Sequence, residues 1–202
     1  MPANRLRDLN LRQAAFPFDW MLSVDDSGLV ELIDRNFQDF INDEYLIRSS
    51  ITGDLMHSLY HIEFLYDHEA GKAFSEDEFQ HELAKMREKY TRRIARLQQI
   101  ENFEGKVFFI RFLLPSRLYK KNYPDSFWFD YSHEKNEKDV AIELRDALKR
   151  RYPHLNFELI LVSKTDMQEK MEMIEDVPLY FLLDEFNLQS WKEIFDHLKG
   201  RS

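Results

Sequence analysis

The chain has 202 residues, 44% apolar and 32% charged, the balance of a globular chain at a length that suits one domain. It contains no cysteine, which excludes disulfides, thiolate zinc sites, iron–sulfur clusters and a thiol nucleophile anywhere among these residues. Lys and Arg number 28 against 37 Asp and Glu, a net charge of −9 that disfavours free nucleic acid as a partner.

Leu6, Leu9 and Leu11 open the chain with the spacing of a short helix. The run Ala15-Phe16-Pro17-Phe18-Asp19-Trp20 then reads as an aromatic turn that Pro17 keeps from being helical. From Gly28 to Asn42 the residues Leu29, Val30, Ile33, Phe37, Phe40 and Ile41 recur on one side, predicting an amphipathic helix capped by Asp26 or Ser27. Residues 45–66 read as extended. Tyr60, Ile62, Phe64 and Tyr66 alternate with His61, Glu63 and Leu65, the pattern of a strand with one packed face. Ser75-Glu76-Asp77-Glu78 is a capping box, and the stripe Phe79, Leu83, Met86, Tyr90, Ile94, Leu97 carries its helix to about Asn102.

After a break at Gly105, Val107–Ile110 reads as a buried strand. Residues 115–136 form a long connection rich in aromatics, among them Tyr119, Tyr123, Phe127, Trp128, Phe129 and Tyr131, with Lys120 and Lys121 between them. Such a loop either packs over the sheet edge or acts as a binding lid. Val140, Leu144, Ala147 and Leu148 mark a helix stopped near Pro153. Phe157–Val162 and Leu179–Leu183 are two more buried strands, and Ser190 caps a closing helix to Lys199. Strand–helix alternation with continuously apolar strands predicts an α/β layered domain, a mostly parallel sheet flanked by helices, over residues 1–202. No apolar run follows Met1, and stretches such as Val107–Ile110 and Tyr180–Leu183 are too short to span a bilayer. The expectation is therefore a cytoplasmic chain with no membrane or nucleic-acid partner. A protein exported as an effector would look the same.

Several of these segments belong together. Ala3-Asn4-Arg5-Leu6-Arg7, then Leu11-Arg12, then Phe16-Pro17-Phe18-Asp19-Trp20 resembles the N-terminal signature of the bacterial putative papain-like cysteine peptidase family. That family opens with a strand, Ser-Leu-Gly-x-x-Cys-x-x-Ala, a helix, Leu-Arg and Pro-Phe-Asp-Trp. Phe37-x-x-Phe40, the extended region ending at Phe64–His68, Arg92-Arg93-Ile94, Phe109-Ile110-Arg111 and Trp191 also fit, so the resemblance spans most of the chain. It implies a thiol hydrolase. Setting Ala3 on the family's Ala places the family's Cys one position before Met1, so the expected first strand and nucleophile precede this chain. A gene start set late, or a fragment beginning at an internal Met, is preferred over genuine loss.

The resemblance also implies a His after the extended region. A gap-free match puts Tyr66 there, and a shift of two positions puts His68 there. His68 is thus the candidate base, with Asp67 or Asp19 to orient it. Arg111, at the end of an apolar strand, is the candidate holder of a carboxylate or phosphate, against the plainer reading of a buried ion pair. Trp20 and Tyr66 are carried beside it as ligand-binding candidates. Asp19 is equally a capping carboxylate in a structural corner.

His57, His61 and His68 lie close in sequence but lack a His-Glu-x-x-His motif, and no phosphate loop, nucleotide fingerprint or Gly-x-Ser-x-Gly elbow occurs. The expectation is no metal and no cofactor. The basic run Arg87, Lys89, Arg92, Arg93, Arg96 reads as a solvated helix face balanced by Glu82, Glu88 and Glu101. Three readings follow. One is a papain-like domain without its nucleophile and inactive in this form. The second is a non-catalytic module that binds a protein, a peptide or a small polar ligand. The third is an enzyme acting on a polar metabolite with Asp19, Asp67 and His68 as acid–base groups.

Overall fold

A computed structural model describes residues 2–10, 14–23, 26–48, 55–64, 75–113, 136–184 and 186–200. The described helices are α1 (Pro2–Asp8), α2 (Asp26–Asp34), α3 (Glu76–Gln98), α4 (Glu137–Arg151) and α5 (Leu188–Lys199). The strands form two sheets. The first is antiparallel, in the order β1 (Leu22–Ser23), β4 (Ile62–Glu63), β3 (Leu55–His57), β2 (Leu46–Arg48). The second runs β5 (Val107–Leu113), β6 (Phe157–Lys164), β8 (Val177–Leu182), β7 (Lys170–Ile174). In it β5, β6 and β8 are parallel and β7 runs against β8. The architecture is α/β. There are two sheets rather than the one expected: one is antiparallel, and the other is mixed, with β7 as its antiparallel edge.

Helix α3 follows its sequence signals closely. Ser75 Oγ accepts from the Glu78 amide at 3.3 Å, and Glu78 Oε2 accepts from the Ser75 amide at 2.8 Å. Such a cap is worth ~1 kcal/mol. Leu83, Met86, Tyr90 and Leu97 of the stripe are buried, and a 3-10 turn carries the chain on to Asn102. Helix α4 buries Val140, Ala141, Leu144, Ala147 and Leu148, as the spacing predicts.

Helix α2 ends eight residues before the predicted stop at Asn42 (42 − 34). Asn36 adopts a left-handed φ of 52°, a conformation that Asn tolerates better than most residues. Its amide donates to Ile33 O at 3.0 Å, and the Phe37 amide donates to Leu32 O at 3.0 Å. That pair of bonds is a Schellman motif. The apolar residues beyond it, Phe37 and Phe40, still reach the core, because consecutive turns over 35–41 swing them inward. Asp26 and Ser27 lie inside the helix rather than at its cap.

Within the expected extended region 45–66, residues 58–61 make a turn instead. This turn, with His61 at φ 51°, joins β3 to β4 in a hairpin whose register pairs His57 with Ile62. Tyr60, Ile62 and Phe64 are buried as expected, but Glu63, placed on the outer face by alternation, is only 2% exposed. Residues 17–20 form one turn of 3-10 helix rather than a non-helical corner. Pro17 takes its first position, where the missing N–H costs nothing. Asn187, not Ser190, caps α5, its Oδ1 accepting from the Gln189 amide at 2.9 Å. Val107–Ile110 is half-buried, being the edge of its sheet. Strands β1 and β7 had no sequence signal. The expected loop at 115–136 lies outside the described residues, except for Asn136.

One buried cluster joins the two sheets. It runs from Met21, Leu32, Phe40 and Phe64 through Tyr90 and Leu97 to Leu144, Leu161 and Leu179. The opposite face of the second sheet packs Ile160, Val162, Tyr180 and Leu182 on Trp191, Ile194, Phe195 and Leu198 of α5, with Leu6 and Leu9 at its margin. Exterior ion pairs hold α4 to α2: Arg150 clasps Asp34 at 3.1 and 2.7 Å, and Arg151 reaches Asn36 and Glu101, both at 3.0 Å.

Candidate functional site

The segment Phe16–Ser23 runs from the 3-10 turn into β1. The turn packs against α1 and α3, and α1 also packs against β5. The structure therefore brings the turn of Asp19 and Trp20 and the strand of Arg111 to one helix. Within the turn, Asp19 Oδ2 accepts from the Phe16 amide at 2.9 Å, so the carboxylate closes its own turn. The Phe18 ring lies 5.2 Å from that of Phe37. Trp20 is the last residue of the turn. Arg96 of α3 donates to the Ala15 carbonyl and holds the approach to it.

Arg111 lies on the β5 face shared with Phe109 and Leu113, since side chains alternate along a strand. Its Nη2 donates to Ser23 Oγ at 2.7 Å, across 88 residues of sequence. Ser23 is itself buried in β1, so this bond ties the first sheet to the second. A guanidinium–hydroxyl bond in this setting is worth ~1.5–3 kcal/mol. The sequence reading gave Ser23 no role. Nothing local marks it, because its partner is remote in the chain.

His57 lies on β3, two strands from β1, and is fully buried. Its Nδ1 accepts from the Tyr60 amide at 3.3 Å. Nε2 therefore carries the proton and donates to the Asp39 carbonyl at 3.1 Å. The ring stacks on Phe40 at 5.5 Å and on Tyr45 at 5.8 Å. Both nitrogens serve the fold, and the ring is neutral. Burial lowers its pKa below the ordinary 6.5, against a smaller opposing pull from Asp39. The unfolded chain then binds more protons than the folded one as pH falls below about 6.5, so the stability from a neutral His57 is complete above that value and is lost below it. The unfolding free energy from urea titrations should hold between pH 7.5 and 6.5 and then fall toward pH 5.5 by up to ~1.4 kcal/mol per pH unit. In His57→Leu that slope should vanish, at the cost of the two hydrogen bonds. An unchanged slope would assign the acid sensitivity to other groups.

Of the remaining sequence candidates, Tyr66, Asp67 and His68 lie outside the described residues. His57 is buried, whereas His61 is exposed. Among the described residues no group of three or more His, Asp or Glu side chains could hold a metal. The basic run on α3 is paired locally: Arg92 with Glu88 at 2.8 Å, Arg87 with Asp43, and Arg93 over the Tyr90 ring at 5.2 Å. Glu82 instead pairs with Lys85 and Glu101 with Arg151. No described helix is long and apolar enough to cross a membrane.

Comparison with known proteins adds one finding. The model of a family described as putative papain-like cysteine peptidase matches residues 1–167. No curated protein and no solved structure matches the chain.

Proposed function

This chain belongs to the putative papain-like cysteine peptidase family, and from that membership we propose that these 202 residues act as a non-catalytic binding module. The module would hold a protein, a peptide or a small polar ligand. The observation that carries this reading is that no residue of the 202 is cysteine. A papain-like reaction joins sulfur to the scissile carbonyl, and only a thiolate poised by an imidazole does so readily at neutral pH. Two side chains of the acid–base and ligand set support it as well. The Asp19 carboxylate is engaged by the Phe16 amide, and Arg111 by Ser23.

The test is an assay of the chain against a fluorogenic peptide library, with a thiol-directed active-site probe beside it. The expected result is no turnover above buffer and no labelling. Turnover abolished by Asp19→Asn would overturn the reading in favour of acid–base chemistry. If the gene's own codons ahead of Met1 supply a Ser-Leu-Gly-x-x-Cys segment, and the longer chain is labelled by the probe, the hydrolase reading takes its place.

A further inference from the structure

Strand β7 is the edge of the second sheet. It pairs antiparallel with β8, and among the described residues no strand pairs with its other side. Its sequence is Lys170-Met171-Glu172-Met173-Ile174. Lys170 and Glu172 share one face and bond to each other, and Lys170 also lies over the Phe181 ring at 4.7 Å. Met171 and Met173 point to the other face, 43% and 47% exposed. An open edge with exposed apolar residues is a template for another strand.

We propose that the occupant of this edge is β7 of a second copy of the chain, paired antiparallel about a two-fold axis between Met171 and its own copy. The charges choose both partner and register. A two-fold axis normal to the sheet must lie between a residue and its own copy, because directly opposed side chains share a face. Centring it on Glu172 sets two carboxylates face to face, which is destabilising, and centring it on Met173 sets Lys170 opposite Asp176, which lies past the end of β7 and is already bonded to Arg145 and Lys149. Centring it on Met171 sets each Lys170 opposite the partner copy's Glu172, and the two methionines opposite each other. Lysine and glutamate then alternate both along and across the pair. The same edge that a lone lysine would protect from pairing becomes self-complementary through Glu172. A five-residue ladder buries less than a standard interface, so the dimer forms with rising concentration rather than obligately. This inference is independent of whether the chain is catalytic.

The absence of cysteine makes the test clean. Met171→Cys introduces the only thiol, and under mild oxidation it should give a disulfide-linked dimer. Met173→Cys, placed opposite Glu169, should not. Light scattering over a concentration series should show dimer in the unmodified chain. Lys170→Glu and Glu172→Lys should each weaken it about tenfold or more, as two opposed pairs become like-charged. The double exchange Lys170→Glu/Glu172→Lys should restore it. Circular dichroism checks that each variant is folded, and the double exchange guards against a merely unfolded single variant. A monomer at every concentration overturns the proposal. So does equal crosslinking of both cysteine variants, or a double exchange that fails to restore the dimer.

Discussion

Gly28→Ala is expected to cost this protein ~3 kcal/mol, although glycine-to-alanine changes within helices ordinarily stabilise by ~1 kcal/mol. The sign reverses because of where α2 lies. A Cβ at residue 28 would overlap the Tyr60 carbonyl oxygen, and it would sit 2.7 Å from that carbonyl's carbon and 3.3 Å from its Cα. These are backbone atoms, so no rotamer change relieves the overlap. Either α2 or the 58–61 turn must move.

Both are fixed elsewhere. Tyr60 donates its hydroxyl to Gln38 O at 2.6 Å, His57 donates to Asp39 O, and Arg35 lies over the Tyr60 ring while pairing with Glu31 and Asp39. A shift of the turn therefore disturbs the three bonds that hold residues 35–41 against the hairpin. For a chain of this size the melting temperature should fall by ~6–12 °C. Thermal unfolding followed by circular dichroism measures it, and a variant melting within about 2 °C of the parent would show that the close approach is not rigid.

The same region marks where sequence stops being informative. Helices α3 and α4 and strands β6 and β8 were legible, because each carries an unbroken apolar period with a recognisable cap or break. The end of α2 was not, because the apolar period continues to Ile41. Left-handed residues at Asn36, Phe37 and Asp39 stop the helix, and the later aromatics reach the core by turns instead. Strand β7 was illegible for another reason: its Lys-Met-Glu-Met alternation is short, and its methionines stay exposed, so no continuous apolar run marks it.

The candidate site was legible by residue type and less so by role. Asp19 could be read as a carboxylate that caps, and it does close its own turn. Arg111 was legible as a cation on an apolar strand but not in its position, since β5 runs on past it to Leu113. Its partner Ser23 was not, because tertiary packing of two separate sheets makes the bond. Glu63 shows the same limit: alternation puts it on the outer face, but β4 is an inner strand between β1 and β3 and Glu63 is buried there by tertiary packing.

Phe40→Ala should be the most damaging single truncation in the described core. The ring is fully buried, and its centroid lies 5.6 Å from Phe37, 5.5 Å from His57, 5.7 Å from Phe64 and 5.5 Å from Tyr90. Those four come from the turns after α2, from β3, from the end of the hairpin and from α3. One ring thus joins the first sheet to α3. Its removal should cost ~3–5 kcal/mol, the transfer term plus a cavity that neighbours on separate elements cannot close together. At ~2–4 °C per kcal/mol the melting temperature should fall by ~6–20 °C. Phe40→Leu keeps most of the volume and should cost under ~1.5 kcal/mol.

A second readout separates this mechanism from general loosening. His57 stacks on Phe40 and owes its lowered pKa to burial. A void beside it that admits water relieves the desolvation, so the imidazole should titrate closer to its ordinary value. Phe40→Ala should then lose less additional stability between pH 7.5 and 5.5 than the parent does, and Phe40→Leu should behave like the parent. Equal pH slopes in all three would mean that the cavity stays dry or collapses, and that the aromatic cluster yields as a unit rather than around a fixed histidine.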